Sequence, residues 1–219
     1  MPLFLHQFLP KKGELGLWKI EETEDFFLNK LNLIEEELEQ VNQIKGRGRL
    51  EWLSSRWLLH TMSGRETRGV CLKDEYGKPY LKDSAFQISI SHSWGIAAIM
   101  AAPYTIGLDI QKYVPKITRI AHKFMRDEEE ASTNEATRIA HLHIYWGAKE
   151  ALYKAYGRKK LDFQKHIFIE PFSFDLEKGT CKGLIHKNDY QKKFDIFYEK
   201  IEDYYLVYGL EEMQEKIIG

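Results

Sequence analysis

Apolar residues recur at helical spacing in two early stretches of the chain. Residues 22–43 begin with acidic side chains and then place Phe27, Leu31, Ile34 and Leu38 at steps of four, three and four, which predicts one amphipathic helix. Residues 48–63 repeat the pattern with Leu50, Leu53, Trp57 and His60 on one face, and Arg47, Arg49 and Arg56 supply cations nearby. The apolar run ahead of them reads as a first strand, with Lys11, Lys12 and Gly13 as its turn. Turn chemistry gathers around Gly77 and Pro79 in DEYGKPY, residues 74–80. Three short apolar runs follow, QISISHS, IAAIMAAP and TIGLDIQKY, and predict three strands.

A second cycle starts at Pro115. Residues 115–127 predict a helix with Ile117, Ile120, Ala121 and Phe124 inward and Lys116, Arg119, Lys123 and Arg126 outward. Residues 133–156 continue as a long helical stretch, and Gly157 sits where a C-cap belongs. IFIEPFSFDL, KGLIH, KFDIFYE and DYYLVYGL then read as strands of another sheet, rich in aromatic and branched residues. Helices followed by strands, twice over, predict an α+β fold of two similar halves, 1–112 and 113–219, each a small, mostly antiparallel sheet packed with helices. No plain sequence repeat accompanies them.

Composition narrows the function without choosing it. The chain has 219 residues, 43% of them hydrophobic, and 32 basic against 33 acidic side chains, so no global field would draw a nucleic acid. No run approaches the roughly 20 apolar residues of a membrane span, and the first residues lack the basic start and cleavage site of a signal peptide. Cys71 and Cys181 are far apart in sequence, without zinc spacing, which fits a reducing cytoplasm.

Three groups of residues could carry chemistry, and each also has an ordinary structural reading. Asp109 and Gln111 end a predicted strand on the same side of its sheet. Trp146, Glu150 and Lys154, in WGAKEALYKAYG, line one face of a helix. Ser91-His92-Ser93 follows an apolar strand, with Lys78 upstream in GKP. His141 and His143 lie about 200° apart around a helix and read as structural. The sequence lacks GxxxxGK[ST], GxGxxG after a strand, HExxH and GxSxG, which leaves carboxylates and cations as the reactive groups.

In this order, GKPYL, ISISHSWG, IGLDIQ and WGAKEALYK resemble the 4′-phosphopantetheinyl transferases of the larger, single-chain, surfactin-synthetase-activating type. The resemblance extends along the whole chain and includes the arginine-bearing helix RGRLEWLSSRWLL. It implies transfer of the phosphopantetheine arm of coenzyme A to a serine of an apo acyl or peptidyl carrier protein, with Mg²⁺ and release of 3′,5′-adenosine bisphosphate. Asp109, Gln111 and Glu150 then take the metal positions, although Gln111 stands where many members have an acid. Glu150, Lys154 and His92 take catalytic roles, and Arg47, Arg56, Lys78, Ser91, His92 and Lys154 the coenzyme-binding ones. The implied partners are the carrier and coenzyme A, with no nucleic acid and no membrane, and a monomer is the simplest state because two fused halves meet within one chain. A non-catalytic coenzyme A binding module and a Mg²⁺-dependent phosphohydrolase are the alternatives.

Overall fold

A computed structural model describes residues 3–212; residues 1, 2 and 213–219 of the two predicted halves lie outside it. The first half contains β1 (Leu3–Leu9), β2 (Gly13–Lys19), α1 (Glu24–Leu31), α2 (Glu35–Asn42), α3 (Arg47–Ser63), β3 (Cys71–Lys73), β4 (Pro79–Leu81), β5 (Gln87–Ser93) and β6 (Ile96–Ala102). The chain continues through β7 (Ile106–Lys112), α4 (Asp127–Ala131), α5 (Arg138–Tyr156), α6 (Phe163–His166), β8 (Ile167–Ile169), β9 (Lys178–Lys187), β10 (Tyr190–Ile201) and β11 (Tyr204–Glu211).

Two antiparallel sheets result, ordered β1-β2-β6-β5-β4-β3 and β7-β11-β10-β9-β8. The α+β expectation holds. Its two-fold character is visible in the strand order: β2 to β6 are threaded as β7 to β11 are, with the last strand of each set beside the first and β1 added at one edge. Though it lies before residue 113, β7 pairs with β11 of the second sheet. α3 covers the first sheet with α1 packed on it, and α5 packs on β7 and β11. A central core lies between the sheets, where Leu15, Leu17, Ala98 and Met100 meet Leu108, Ile110, Leu206 and Tyr208.

Several predicted elements are corrected. The helix over 22–43 is two helices, broken where Asn32 takes a left-handed conformation (φ 44°, ψ 58°) that closes α1. Asn tolerates that geometry better than most residues. Ile34 therefore caps α2 and Leu38 is exposed, so the four apolar positions share no single face. GELGLWK forms β2, a strand hidden in the sequence by its two glycines. Residues 115–123 wind as a 3₁₀-helix, and Arg126 leaves the outer stripe to stack on Phe168 and donate to the Gln164 carbonyl (2.8 Å). Only Ile167–Ile169 of IFIEPFSFDL is strand.

Two buried polar side chains stand out in the second half. Lys149 is fully buried and pairs with Glu129 at 2.8 Å, and its Nζ also donates to the carbonyls of Phe163 (3.0 Å) and Ile167 (3.2 Å). His141 is buried against Tyr145, Phe172 and Phe174, and neither ring nitrogen has a partner. Burial holds its pKa below 6.5. An unfolded histidine takes up a proton as pH falls through its ordinary range while the folded one resists, so stability is lost on acidification toward the folded pKa. His141→Phe should therefore melt higher than the parent at pH 7, and the gap should widen by pH 5.5. Melting curves across that range check it; a parallel pH dependence in both proteins would exclude His141 as the cause.

Candidate active site

The two halves meet along β5 and β7. Ser89, Ser91 and Ser93 of β5 accept the backbone N–H groups of Leu108, Ile110 and Lys112 at 2.9, 3.1 and 3.1 Å. Side-chain oxygens thus satisfy the edge of β7 that faces away from β11. On one side of this joint lies α5, close enough that a Cβ at Gly107 would fall 1.8 Å from the Ala151 carbonyl oxygen. Only glycine lets the helix approach there. That closeness brings Asp109, two residues further along β7, against Lys154 of α5.

Asp109 is buried, and its Oδ1 receives Lys154 Nζ at 2.8 Å and the Ser91 hydroxyl at 2.9 Å. Lys154 Nζ also donates to Ser91 Oγ (2.9 Å) and the Leu108 carbonyl (3.0 Å). Glu150 sits one turn before Lys154 on α5, half-buried. Its carboxyl is pushed above the ordinary range first by burial and then by the negative charge of Asp109, with Lys154 opposing. Two carboxylates from separate elements and one ammonium group are thereby assembled at one place.

A pocket of about 460 Å³ opens beside them, lined by Lys154 and Tyr153 of α5, Gly48, Trp52 and Arg56 of α3, and Lys78 and His92, among others. Arg56 is buried on the Trp52 ring, 3.8 Å from its centroid, and only its Nη1 has a partner, the Ser55 hydroxyl at 3.1 Å. Its Nε and Nη2 have none, nor has the indole nitrogen of Trp52. Arg56 is thus a buried cation at the pocket wall with two donors unpartnered, an arrangement that buried polar groups seldom adopt. Lys78 Nζ donates to the Ala155 carbonyl (2.9 Å), and burial lowers its pKa, with Lys192 and Arg158 adding to the effect and Asp74 opposing it. His92 Nδ1 lies 3.0 Å from the Glu51 carboxylate, which leaves Nε2 as the nitrogen available to a ligand.

Residues 105–208 match the family model of the 4′-phosphopantetheinyl transferase superfamily. No curated protein matches the chain. The superfamily segment runs from the start of β7 into β11 and so contains Asp109, Gln111, Glu150 and Lys154, whereas Arg56, Lys78 and His92 lie ahead of it. Transfer of a phosphopantetheinyl group is the activity that this superfamily supports for the segment.

Measured against the transferase expectations, the sequence-predicted residues divide into three sets. Asp109, Glu150 and Lys154 converge, and Arg56, Lys78 and His92 line the adjoining pocket. Ser91 stands outside the pocket lining, its hydroxyl engaged with Asp109, Lys154 and the Ile110 amide. Arg47 is also outside, packed 5.5 Å from the exposed Trp94 ring and 3.2 Å from Glu51. Gln111 turns its amide oxygen to His143 Nδ1 at 2.8 Å. Sequence reasoning passed over Glu51 and Trp52; the Arg47–Glu51 spacing of four was the one visible hint of the first.

The halves match position by position, and among the described residues the acidic pair stands in one of them only. Gly64 closes α3 as Gly157 closes α5, both with left-handed backbones (φ 59° and 69°). Aligned on these caps, Leu58 and Met62 face Gly16 of β2 as Ala151 and Ala155 face Gly107 of β7. Trp18, Trp57 and Thr61 then take the places of Asp109, Glu150 and Lys154, and Arg56 takes that of Lys149. Glu37 and Glu129 are equivalent too, each accepting its own helix-capping N–H and a strand amide, Cys71 in one half and Ile169 in the other. Glu129 binds Lys149, whereas Glu37 is taken by Arg68, which leaves Arg56 facing the pocket.

Proposed function

We propose that the chain transfers the 4′-phosphopantetheine arm of coenzyme A to a serine of an apo acyl or peptidyl carrier protein and releases 3′,5′-adenosine bisphosphate. The observation that carries this reading is the convergence of Asp109 and Lys154, with Glu150 beside them, next to a pocket whose buried Arg56 lacks partners. Arg56, Lys78 and the Glu51-held His92 bind the phosphates of the nucleotide end. The residues present fit Mg²⁺: two neighbouring carboxylates, one of them raised by burial and then by the other's charge, are a donor set that this ion takes together with substrate phosphates and water. Asp109 and Glu150 would hold it, and bound there it polarises the diphosphate and screens its charge. Glu150 takes the proton of the attacking serine hydroxyl, directly or through water. The serine oxygen bonds to phosphorus as the bond to the departing adenosine bisphosphate oxygen breaks, and Lys154 offsets the charge on the phosphate oxygens.

Incubation with coenzyme A, Mg²⁺ and several apo carrier proteins, followed by weighing of the carriers, tests the proposal. A gain of about 340 Da, the mass of the arm, is expected. Coenzyme consumed without modified carrier would instead establish hydrolysis, and no change in either would leave a binding module.

The carrier's approach yields a further expectation. Lys116, Arg119 and Lys123 are exposed on the 3₁₀ segment that follows β7, and carriers of this kind are acidic. Reversing Arg119 and Lys123 to glutamate should raise the KM for carrier by about tenfold at low salt, through lost steering and new repulsion, and leave that for coenzyme A nearly unchanged. Equal changes in both would show these cations to be an ordinary solvated face.

A further inference from the structure

We propose that Gln111 is the hydrogen-bond donor that fixes Asp109, aimed by His143, and that it offers no oxygen to a cation. The direction of each bond follows from a group with no choice. The backbone N–H of Val114 can only donate, and it points at His143 Nε2 from 3.0 Å. That nitrogen must accept, although the Val114 carbonyl is also near it at 3.1 Å, so the ring proton resides on Nδ1. Nδ1–H then donates to the Gln111 oxygen at 2.8 Å. The amide nitrogen of Gln111 is left facing two obligate acceptors, the His143 carbonyl at 3.0 Å and Asp109 Oδ2 at 3.3 Å. A flipped amide would set its nitrogen against Nδ1–H and its oxygen against both acceptors.

The surroundings hold this arrangement in place. The buried His143 ring packs against Tyr113 and Tyr205, 5.3 and 6.1 Å from their centroids, in a cluster of three mutually touching rings. Gly147 of α5 leaves the amide its passage: a Cβ there would lie 2.9 Å from Gln111 Nε2 and 2.6 Å from Val207 Cγ2. His143 touches no reacting atom and is a positioning residue. With Oδ1 held by Lys154 and Ser91, the donor at Oδ2 sets the plane of the Asp109 carboxylate.

The inference rests on the reading of Asp109 as a carboxylate that holds the metal, and its tests separate from that reading. Nitrogen NMR of the metal-free protein should show His143 as the Nδ1–H tautomer; the Nε2–H tautomer would overturn the proposal. Mn²⁺ titration followed by electron paramagnetic resonance should give Gln111→Met an affinity within about threefold of the parent, since no ligand is removed. A loss as large as that of Asp109→Asn would make Gln111 a ligand and sink the idea. Asp109→Asn binding Mn²⁺ as the parent does would overturn the metal assignment instead, and the tautomer alone then decides the role of His143. His143→Phe should lower kcat by about 10- to 100-fold with the KM for coenzyme A unchanged, and His143→Asn, which keeps a donor at the Nδ1 position, should recover most of it. Equal loss in both variants would overturn the positioning role.

Discussion

Replacing Glu150 with glutamine should reduce turnover by roughly 10²- to 10⁴-fold while coenzyme A binding weakens far less. The amide keeps the size of the side chain and its place one turn before Lys154, but it cannot accept the serine proton. In the metal-free protein burial and then the neighbouring Asp109 raise the Glu150 carboxyl, with Lys154 opposing. In the proposed reading the coenzyme is held by Arg56, Lys78 and His92, which line the adjoining pocket and which the substitution leaves alone. Single-turnover rates measured with metal saturating, beside equilibrium binding of coenzyme A, distinguish a missing base from a missing ligand. Turnover close to that of the parent would remove Glu150 from the proton transfer.

The second large effect is on stability. Lys149→Met should cost about 3–5 kcal/mol, because Glu129 would be left charged, buried and without its counterion. For a chain of this size each kcal/mol corresponds to about 2–4 °C in Tm, so a fall of roughly 10 °C is expected. Adding Glu129→Leu to Lys149→Met should recover part of the loss, since the orphaned charge goes with it, although the amides of Arg126 and Ile169 then lose their acceptor. Thermal melts of the parent, single and double variants check the sign of that recovery. A loss below about 1 kcal/mol in the single variant would show that the pair contributes little.

Lys149 also shows where sequence reading succeeds and where it ends. WGAKEALYK is a helix whose period places Glu150 and Lys154 on one face and turns Lys149 away from them, and the structure follows that geometry because nothing interrupts α5 from Arg138 to Tyr156. Gly107 and Asp109 were equally legible as a strand end. What Lys149 meets on its own side was not, because Glu129 lies 20 residues earlier on a separate short helix. The break at Asn32 escaped because an asparagine inside an apolar period is unremarkable until its φ is known. Ser91 resembled a ligand contact, yet its bonds run across a joint between two sheets. The orientation of Gln111 depends on His143, 32 positions away, and on a backbone N–H that no side-chain pattern reports.

Trp18 and Trp57 occupy the places that, in the other half, belong to Asp109 and Glu150. Under the proposed function the two halves divide the labour: one furnishes most of the cradle, its twin the reactive acids. Indole rings stand where a mirror workshop would need its acids, so the polypeptide has one bench rather than two, and a buried arginine of that half lines the space beside it.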